Sequence, residues 1–329
     1  MAYHSTSGIA NNTADFFSRL KSFLVDTVGW TVLSSDLGAT NPFLYIDSAG
    51  ESGRETINLL MDKFTANADK ICVRTALWWN PDTLSAVLPA GTTNYNYIST
   101  KDSATFLYWI YADLDHIVVV TRASTAYNAY YFGMAKRYWS ANMALTQADT
   151  SAGANVVVPV DDASYFKAGL YYQIINHDKF ERMQVTAVDT MATPNTITVA
   201  SLANAYVAGA RVGEDVVPVV ISRGDSPFTS MHTPSRYSGW NTSVIDLSVV
   251  GSSGGAYTSA ANDCRYNLIG IFPYWLSCGT TGNYEMRGQL IEVYEVSSTW
   301  GVSEDVIDAG GGVTYKYFYI GSKGFAIRE

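Results

Sequence analysis

Charge is what this chain has least of. Charged residues make up 16% of the 329, against about 25% in ordinary globular chains. The 21 Lys and Arg are outnumbered by 30 Asp and Glu, so the formal net charge is −9, and no run of basic residues occurs. A phosphate backbone needs a basic patch, so this balance speaks against wrapping nucleic acid. Cysteine is nearly absent. Cys72, Cys264 and Cys278 form an odd, widely spaced set in strand-like text, which fits reduced core thiols better than a disulfide frame or a zinc site. Long apolar runs are missing too. Stretches such as 117–120 and 216–221 fall far short of the roughly 20 residues that cross a bilayer, so no membrane insertion is expected. The opening MAYHSTSGIANNTADFF has neither the basic start nor the apolar stretch of a secretory signal, which predicts synthesis and folding in the cytoplasm.

What is plentiful is apolar and aromatic. Hydrophobic residues reach 47%, so a sizeable core is expected and disorder is not. The 23 Tyr and 8 Trp suit either a Tyr-rich β-sheet protein or one whose weakly charged surface is covered by neighbouring subunits. Doublets are frequent: Trp78-Trp79, Tyr108-Trp109, Tyr130-Tyr131, Tyr138-Trp139 and Tyr274-Trp275. Neighbours along a strand point to opposite faces, so each doublet is expected to place one ring inward and one outward.

One helix is legible near the start. Phe16, Phe17, Leu20, Phe23, Leu24 and Val28 recur at helical spacing, with Asn12 able to cap the start, Asp15 in the first turn and Gly29 able to end it. Strand text follows at Trp30–Leu33, Phe43–Ile46, Ile57–Met61 and 71–78. A hairpin is predicted from Ala104–Ala112, a turn Asp113-Leu-Asp115 and His116–Arg122, with a third strand through Tyr127–Phe132. The fold class is α+β, predominantly antiparallel β, with one N-terminal amphipathic helix on a β-rich body.

Residues 151–220 read differently. Five short strands, beginning at Asn155, Tyr171, Arg182, Thr196 and Val216, are spaced as in a small β-barrel or sandwich. Strand text resumes near Ser243, Tyr266, Gln289 and Tyr315, which makes 151–220 an inserted β module in a body formed by 1–150 and 221–329. The module carries seven acidic and four basic residues from Asn155 to Val220. It is expected to project, while the aromatic body makes the contacts.

The search for chemistry yields no catalytic residues, no cofactor-binding residues and no metal ligands. His4, His116, His177 and His232 have no ligand-like spacing. His177-Asp178 reads as a solvated turn and His116 as a hydrogen-bonded strand residue. Asp161-Asp162 and Glu214-Asp215 read as acidic turns rather than a calcium site. Gly251-Ser-Ser-Gly-Gly255 lacks the Lys and the strand-to-helix context of a phosphate loop, and Arg223-Gly224-Asp225 marks a junction turn.

Several segments resemble virion structural proteins of tailed bacteriophages. In YWIYADLDHIVVVTRASTAYNAYYFGMAKRY (108–138) a hairpin with a polar turn leads into a valine-rich strand, then Ser-Thr-x-Tyr and Tyr-x-Gly. DFFSRLKSFLVDTVGWTV (15–32) is similar to their N-terminal helix running into a Gly-Trp-Thr strand. VDDASYFKAG (160–169), ERMQVTAVDT (181–190), TITV (196–199) and AYVAGARVGED (205–215) resemble small β modules of phage particles, and YKYFYIGSKGFAIRE (315–329) looks like the end of such chains. The resemblance implies a non-enzymatic subunit of the tail, neck or baseplate, without cofactor, located in the virion after synthesis in the host cytoplasm. Its implied partners are further copies of itself and other virion proteins, with a weak glycan contact as a lesser expectation. It offers no active site to carry over. The alternative reading is a receptor- or glycan-binding module of a host-recognition fibre, whose exposed aromatics would stack on sugar.

Overall fold

The computed structural model describes residues 3–53, 55–76, 78–87, 96–137, 143–177, 179–213, 219–222, 230–232, 246–249, 272–280, 283–296, 301–320 and 323–329. The fold is α+β and mostly antiparallel β. It divides into two compact units. One comprises Met1–Ala76, Leu88–Tyr138 and Val219–Glu329, and the other Leu77–Val87 with Trp139–Pro218.

In the first unit the helix begins at Thr13 as the sequence predicts. Asn12 accepts a hydrogen bond from the Asp15 amide (2.8 Å) and the Asp15 carboxylate accepts one from the Asn11 amide (2.8 Å), a reciprocal cap on two amides that the helix itself cannot satisfy. The last turn, Phe23–Val28, widens from α to π geometry. Gly29, at φ +101°, lets both its own amide and that of Trp30 reach the Leu24 carbonyl (3.0 and 2.9 Å). Phe16, Phe17, Leu20 and Leu24 are buried, as the helical spacing requires.

A five-stranded antiparallel sheet follows in the order Thr31–Asp36, Phe43–Ser48, Ile57–Lys63, Lys70–Ala76, Asn96–Ser99. The long sheet of the unit starts with His4–Ala10, Phe106–Ala112, His116–Arg122 and Asn128–Met134. It continues through Val219–Ser222, Ser230–His232, Asp246–Val249, Phe272–Thr280 and Asn283–Val296, and ends with Lys323–Arg328, Thr314–Ile320 and Val306–Asp308. The strand text expected near Ser243 and Tyr266 lies partly outside the described residues.

The Phe106–Arg122 hairpin and the strand after it are covered on both faces. Phe106, Tyr108, Ile110, Ile117, Val119, Tyr130 and Phe132 share one apolar cluster with the helix and the five-stranded sheet. Their sequence neighbours Trp109, Tyr111, Val118, Val120 and Tyr131 share another with Leu290, Val293, Phe318, Phe325 and Ile327. For the two central doublets this corrects the expectation that one ring of each points outward. Adjacent rings do point to opposite faces, but the C-terminal strands bury the second face, so Tyr108-Trp109 and Tyr130-Tyr131 are core throughout.

The second unit is a closed barrel. Its strands run Met143–Leu145, Arg211–Gly213, Tyr171–Asn176, Lys179–Asp189, Asn195–Leu202, Gly153–Val160. A Thr146–Val160 bridge closes the ring, with Gln147 donating to the Pro159 carbonyl (2.9 Å) and the Asp161 amide to the Leu145 carbonyl (3.0 Å). Four of the five expected strands belong to it. The fifth does not: Val219–Ser222 pairs with Asn128–Met134 in the first unit. The barrel instead takes Met143–Leu145 and Arg211–Gly213, three-residue strands too short to show an alternation. It therefore begins before residue 151, and its unit also holds the hairpin Trp78–Asn80 and Ser85–Val87, whose Trp78 ring stacks on His177 at 4.7 Å.

Within the barrel, Glu181 fastens the returning loop. Its carboxylate accepts hydrogen bonds from the amides of Ala203 (2.7 Å) and Asn204 (3.0 Å) and from the Tyr206 hydroxyl (2.9 Å). Burial, with the Glu181 carboxylate alongside, holds the Tyr206 phenol well above its ordinary pKa, so it stays a donor. Glu181→Ala would leave these donors without their acceptor. It should lower barrel stability by about 2 kcal/mol in denaturant unfolding followed by barrel-specific hydrogen exchange, while exchange in the helix is unchanged. Wild-type protection in 203–206 would show that Glu181 is not the anchor.

Candidate functional site

The densest polar constellation among the described residues is the turn of the central hairpin, Asp113-Leu-Asp-His116. The sequence signal is an Asp two and three residues ahead of amides it can cap. Asp113 Oδ1 accepts from the Asp115 amide (2.8 Å) and the His116 amide (2.9 Å), and the Asp113 amide donates to the His116 carbonyl (3.1 Å). The turn is in turn gripped from several elements. Trp30 donates its indole N–H to the Asp113 carbonyl (2.9 Å), and Ser48 its hydroxyl to the Leu114 carbonyl (2.6 Å). The Glu51 amide donates to Asp115 Oδ1 (2.8 Å) and the Met134 amide to the Asp115 carbonyl (2.8 Å).

His116 is fully buried between two tyrosine rings, Tyr3 at 5.7 Å and Tyr131 at 5.3 Å, both nearly parallel to it. Its Nδ1 stands 2.9 Å from Asp113 Oδ1, close enough for an ion pair but too oblique for a good hydrogen bond. Burial pushes the Asp113 carboxyl upward, yet the imidazole beside it and the amides of His116 and Asp115 outweigh that, and its pKa ends below the usual carboxylate value. Burial raises the Asp115 carboxyl despite the Glu51 amide. Tyr131 donates to the Met134 carbonyl and accepts from the Ile291 amide (3.3 Å), and its phenol, like those of Tyr3 and Tyr111, is held protonated by burial. Asp113, His116 and Ser48 are buried and Asp115 is half-buried, and the Asp113 carboxylate is occupied by the turn it caps. The arrangement positions chain segments; it presents no exposed nucleophile beside a base.

The other residues singled out from the sequence fall apart in space or into local structure. Cys72 is buried, and burial pushes its thiol up to about 11, so it is not a thiolate at neutral pH. Asp161 accepts the Leu145 amide (2.8 Å) where the barrel closes, and Asp162 accepts the Ser164 amide (2.8 Å) within its own turn. His177 takes a left-handed conformation, φ +53°, in the Asn176–Lys179 hairpin. His4 lies in a strand opposite Ala112. No group of three His, Cys, Asp or Glu among the described residues could hold a metal ion, and no helix among them is long and apolar enough to cross a membrane. Glu214-Asp215, Arg223-Gly224-Asp225, Gly251–Gly255, Cys264 and the Tyr138-Trp139 doublet lie outside the described residues, as do the side chains of His232, Tyr274, Trp275 and Cys278.

Among the described residues, exposed apolar side chains are found on both units. Leu84, Val157, Leu170, Tyr171, Met191 and Val207 belong to the barrel unit, and Ile9, Val302, Val306 and Tyr319 to the other. Tyr108-Trp109 and Tyr130-Tyr131 are spent on the interior, whereas of Trp78-Trp79 only Trp79 is buried. The sequence missed the grip of Trp30 and Ser48 on the turn because these pairs lie 83 and 66 residues apart. No protein-family model matches the chain, and no curated protein does.

Two substitutions test the turn. At Gly133, φ +124°, an added Cβ would overlap the Asp115 carbonyl and come within 2.6 Å of the His116 Cα, so Gly133→Ala should destabilise the protein by about 3 kcal/mol or more. Asp113→Asn keeps an acceptor but removes the charge. Because the folded-state pKa of Asp113 is depressed, its stabilisation is complete above the unfolded value of about 3.9 and fades as pH falls through the lower folded value. The unfolding free-energy difference between wild type and Asp113→Asn should thus be larger at pH 6 than near pH 3. Equal differences would show that the carboxyl acts only as an uncharged acceptor.

Proposed function

We propose that this protein is a structural subunit of a tailed-phage particle, in the tail, neck or baseplate region, and acts by protein–protein assembly. One observation carries the reading. One of the stretches that resemble virion proteins, 108–138, contains the hairpin on which the first unit is built, with Asp113 committed to the turn and the rings of Tyr108, Trp109, Tyr130 and Tyr131 to two cores. A resemblance seated in the architectural centre speaks for a shared framework rather than a scattered likeness. The barrel supports the same reading from the other side. Its ring is closed by its own hydrogen bonds and its buried apolar residues form one cluster, yet Val157, Leu170, Tyr171 and Val207 remain exposed and Met191 is 91% exposed. Large apolar groups that the fold does not need inside are available to neighbouring proteins.

The fibre-module alternative predicts a different behaviour, binding of host polysaccharide by the free chain. Particles of the encoding phage, banded on a density gradient and washed at high salt, should contain the chain at constant stoichiometry by mass spectrometry. A chain confined to the soluble lysate would refute the proposal, and a free chain that binds host glycan without entering particles would replace it with the fibre reading.

A further inference from the structure

We infer that the strand His4–Ala10 is a self-association edge, on which a second copy of this chain pairs antiparallel across a two-fold axis at Ser7. The inference deepens the assembly reading by naming a partner, and it rests on that reading only for its biological purpose.

The strand is the outermost of the long sheet and pairs on its inner side with Phe106–Ala112 through seven consecutive positions without a bulge. Among the described residues nothing pairs with its outer side. Such an edge offers a row of backbone donors and acceptors to any other strand, and soluble proteins ordinarily blunt it with charge, proline, a bulge or short length. The remaining edges here are blunted in those ways. Thr31–Asp36 has a register shift between Val32 and Ser34 and ends in a carboxylate. Val306–Asp308 is three residues long, Asn96–Ser99 is four with Asn96 and Ile98 buried, and the barrel closes on itself. His4-Ser-Thr-Ser-Gly-Ile-Ala10 has none of these devices: no Lys, Arg, Asp, Glu or Pro. The strand behind it is buried on both faces, so the template is rigid.

A second copy is the occupant that the residues favour. With the axis at Ser7, His4 faces Ala10, Ser5 faces Ile9 and Thr6 faces Gly8, so no like charges meet although each chain carries −9 overall. Ser5, Ser7 and Ile9 are the exposed side chains, and Ile9, 58% exposed alone, would gain cover from its counterpart strand. The two Ser7 side chains would stand about 5 Å apart.

Light scattering on the purified full chain over a concentration series should show a monomer–dimer equilibrium that strengthens with salt, as the net charges are screened. Ser7→Lys and Ser7→Glu place like charges opposite each other. Each should weaken the dimer by about fivefold or more at low salt, with circular dichroism and unfolding midpoint unchanged because the site is exposed. An equimolar mixture of the two variants should restore association, since Lys then faces Glu. A wild type that stays a single chain throughout, variants that associate as well as wild type, or a mixture that fails to recover would each overturn the inference. A dimer with this variant pattern from a chain that never enters particles would uphold the edge and sink the assembly proposal instead.

Discussion

The Asp113–His116 turn fixes the first unit. A carboxylate inside a protein is costly unless it is paired and fully hydrogen-bonded. Asp113 offsets part of that cost by turning the chain sharply, with two amides on one oxygen and an imidazole beside it. The carbonyls thrown outward by so tight a turn then need donors of their own, and these come from far along the chain: the Trp30 indole, the Ser48 hydroxyl and the Met134 amide. The π-shaped end of the helix follows from the same demand, since it delivers Trp30 to the Asp113 carbonyl while its ring is buried in the core. Gly133 is the matching concession in the next strand, where any side chain would strike the turn's backbone.

From this point the layering follows. The hairpin that leaves the turn has aromatic and β-branched residues at both parities, a pattern that a sheet with one wet face could not accept. It is stable because the helix and the five-stranded sheet take one face and the C-terminal strands take the other. Phe16 packs edge-on against Tyr108 at 5.3 Å on the first side, and Trp109 against Phe318 at 5.3 Å on the second. Thr121 and Tyr130 reach the last strand of the five-stranded sheet through the Ser99 carbonyl (2.8 Å) and amide (3.0 Å), so the two sheets are also tied by polar bonds.

The barrel solves the edge problem by closure and the long sheet does not. The Thr146–Val160 bridge joins the barrel's two terminal strands, and Glu181 holds the returning loop. The contrast with the unprotected strand His4–Ala10 is what makes that strand informative: the same chain blunts the other edges that are described.

What the sequence determined by itself is the local and periodic part. The helix with its Asn12 and Asp15 cap and its Gly29 stop, the hairpin about Asp113, four strands of the barrel and the α+β class were all legible, because capping, turn chemistry and alternation act within a few residues. The tertiary structure alone decided three things. It placed the second ring of each described central doublet in a core, because only the return of the C-terminal strands covers that face. It moved the strand at Val219–Ser222 out of the barrel and brought in Met143–Leu145 and Arg211–Gly213, because three-residue strands are defined by their hydrogen-bonded partners and not by their own pattern. And it made Asp113 and His116 the anchor of the unit, because the Trp30 and Ser48 donors that grip the turn come from residues more than sixty positions away, a separation over which sequence spacing contains no geometry.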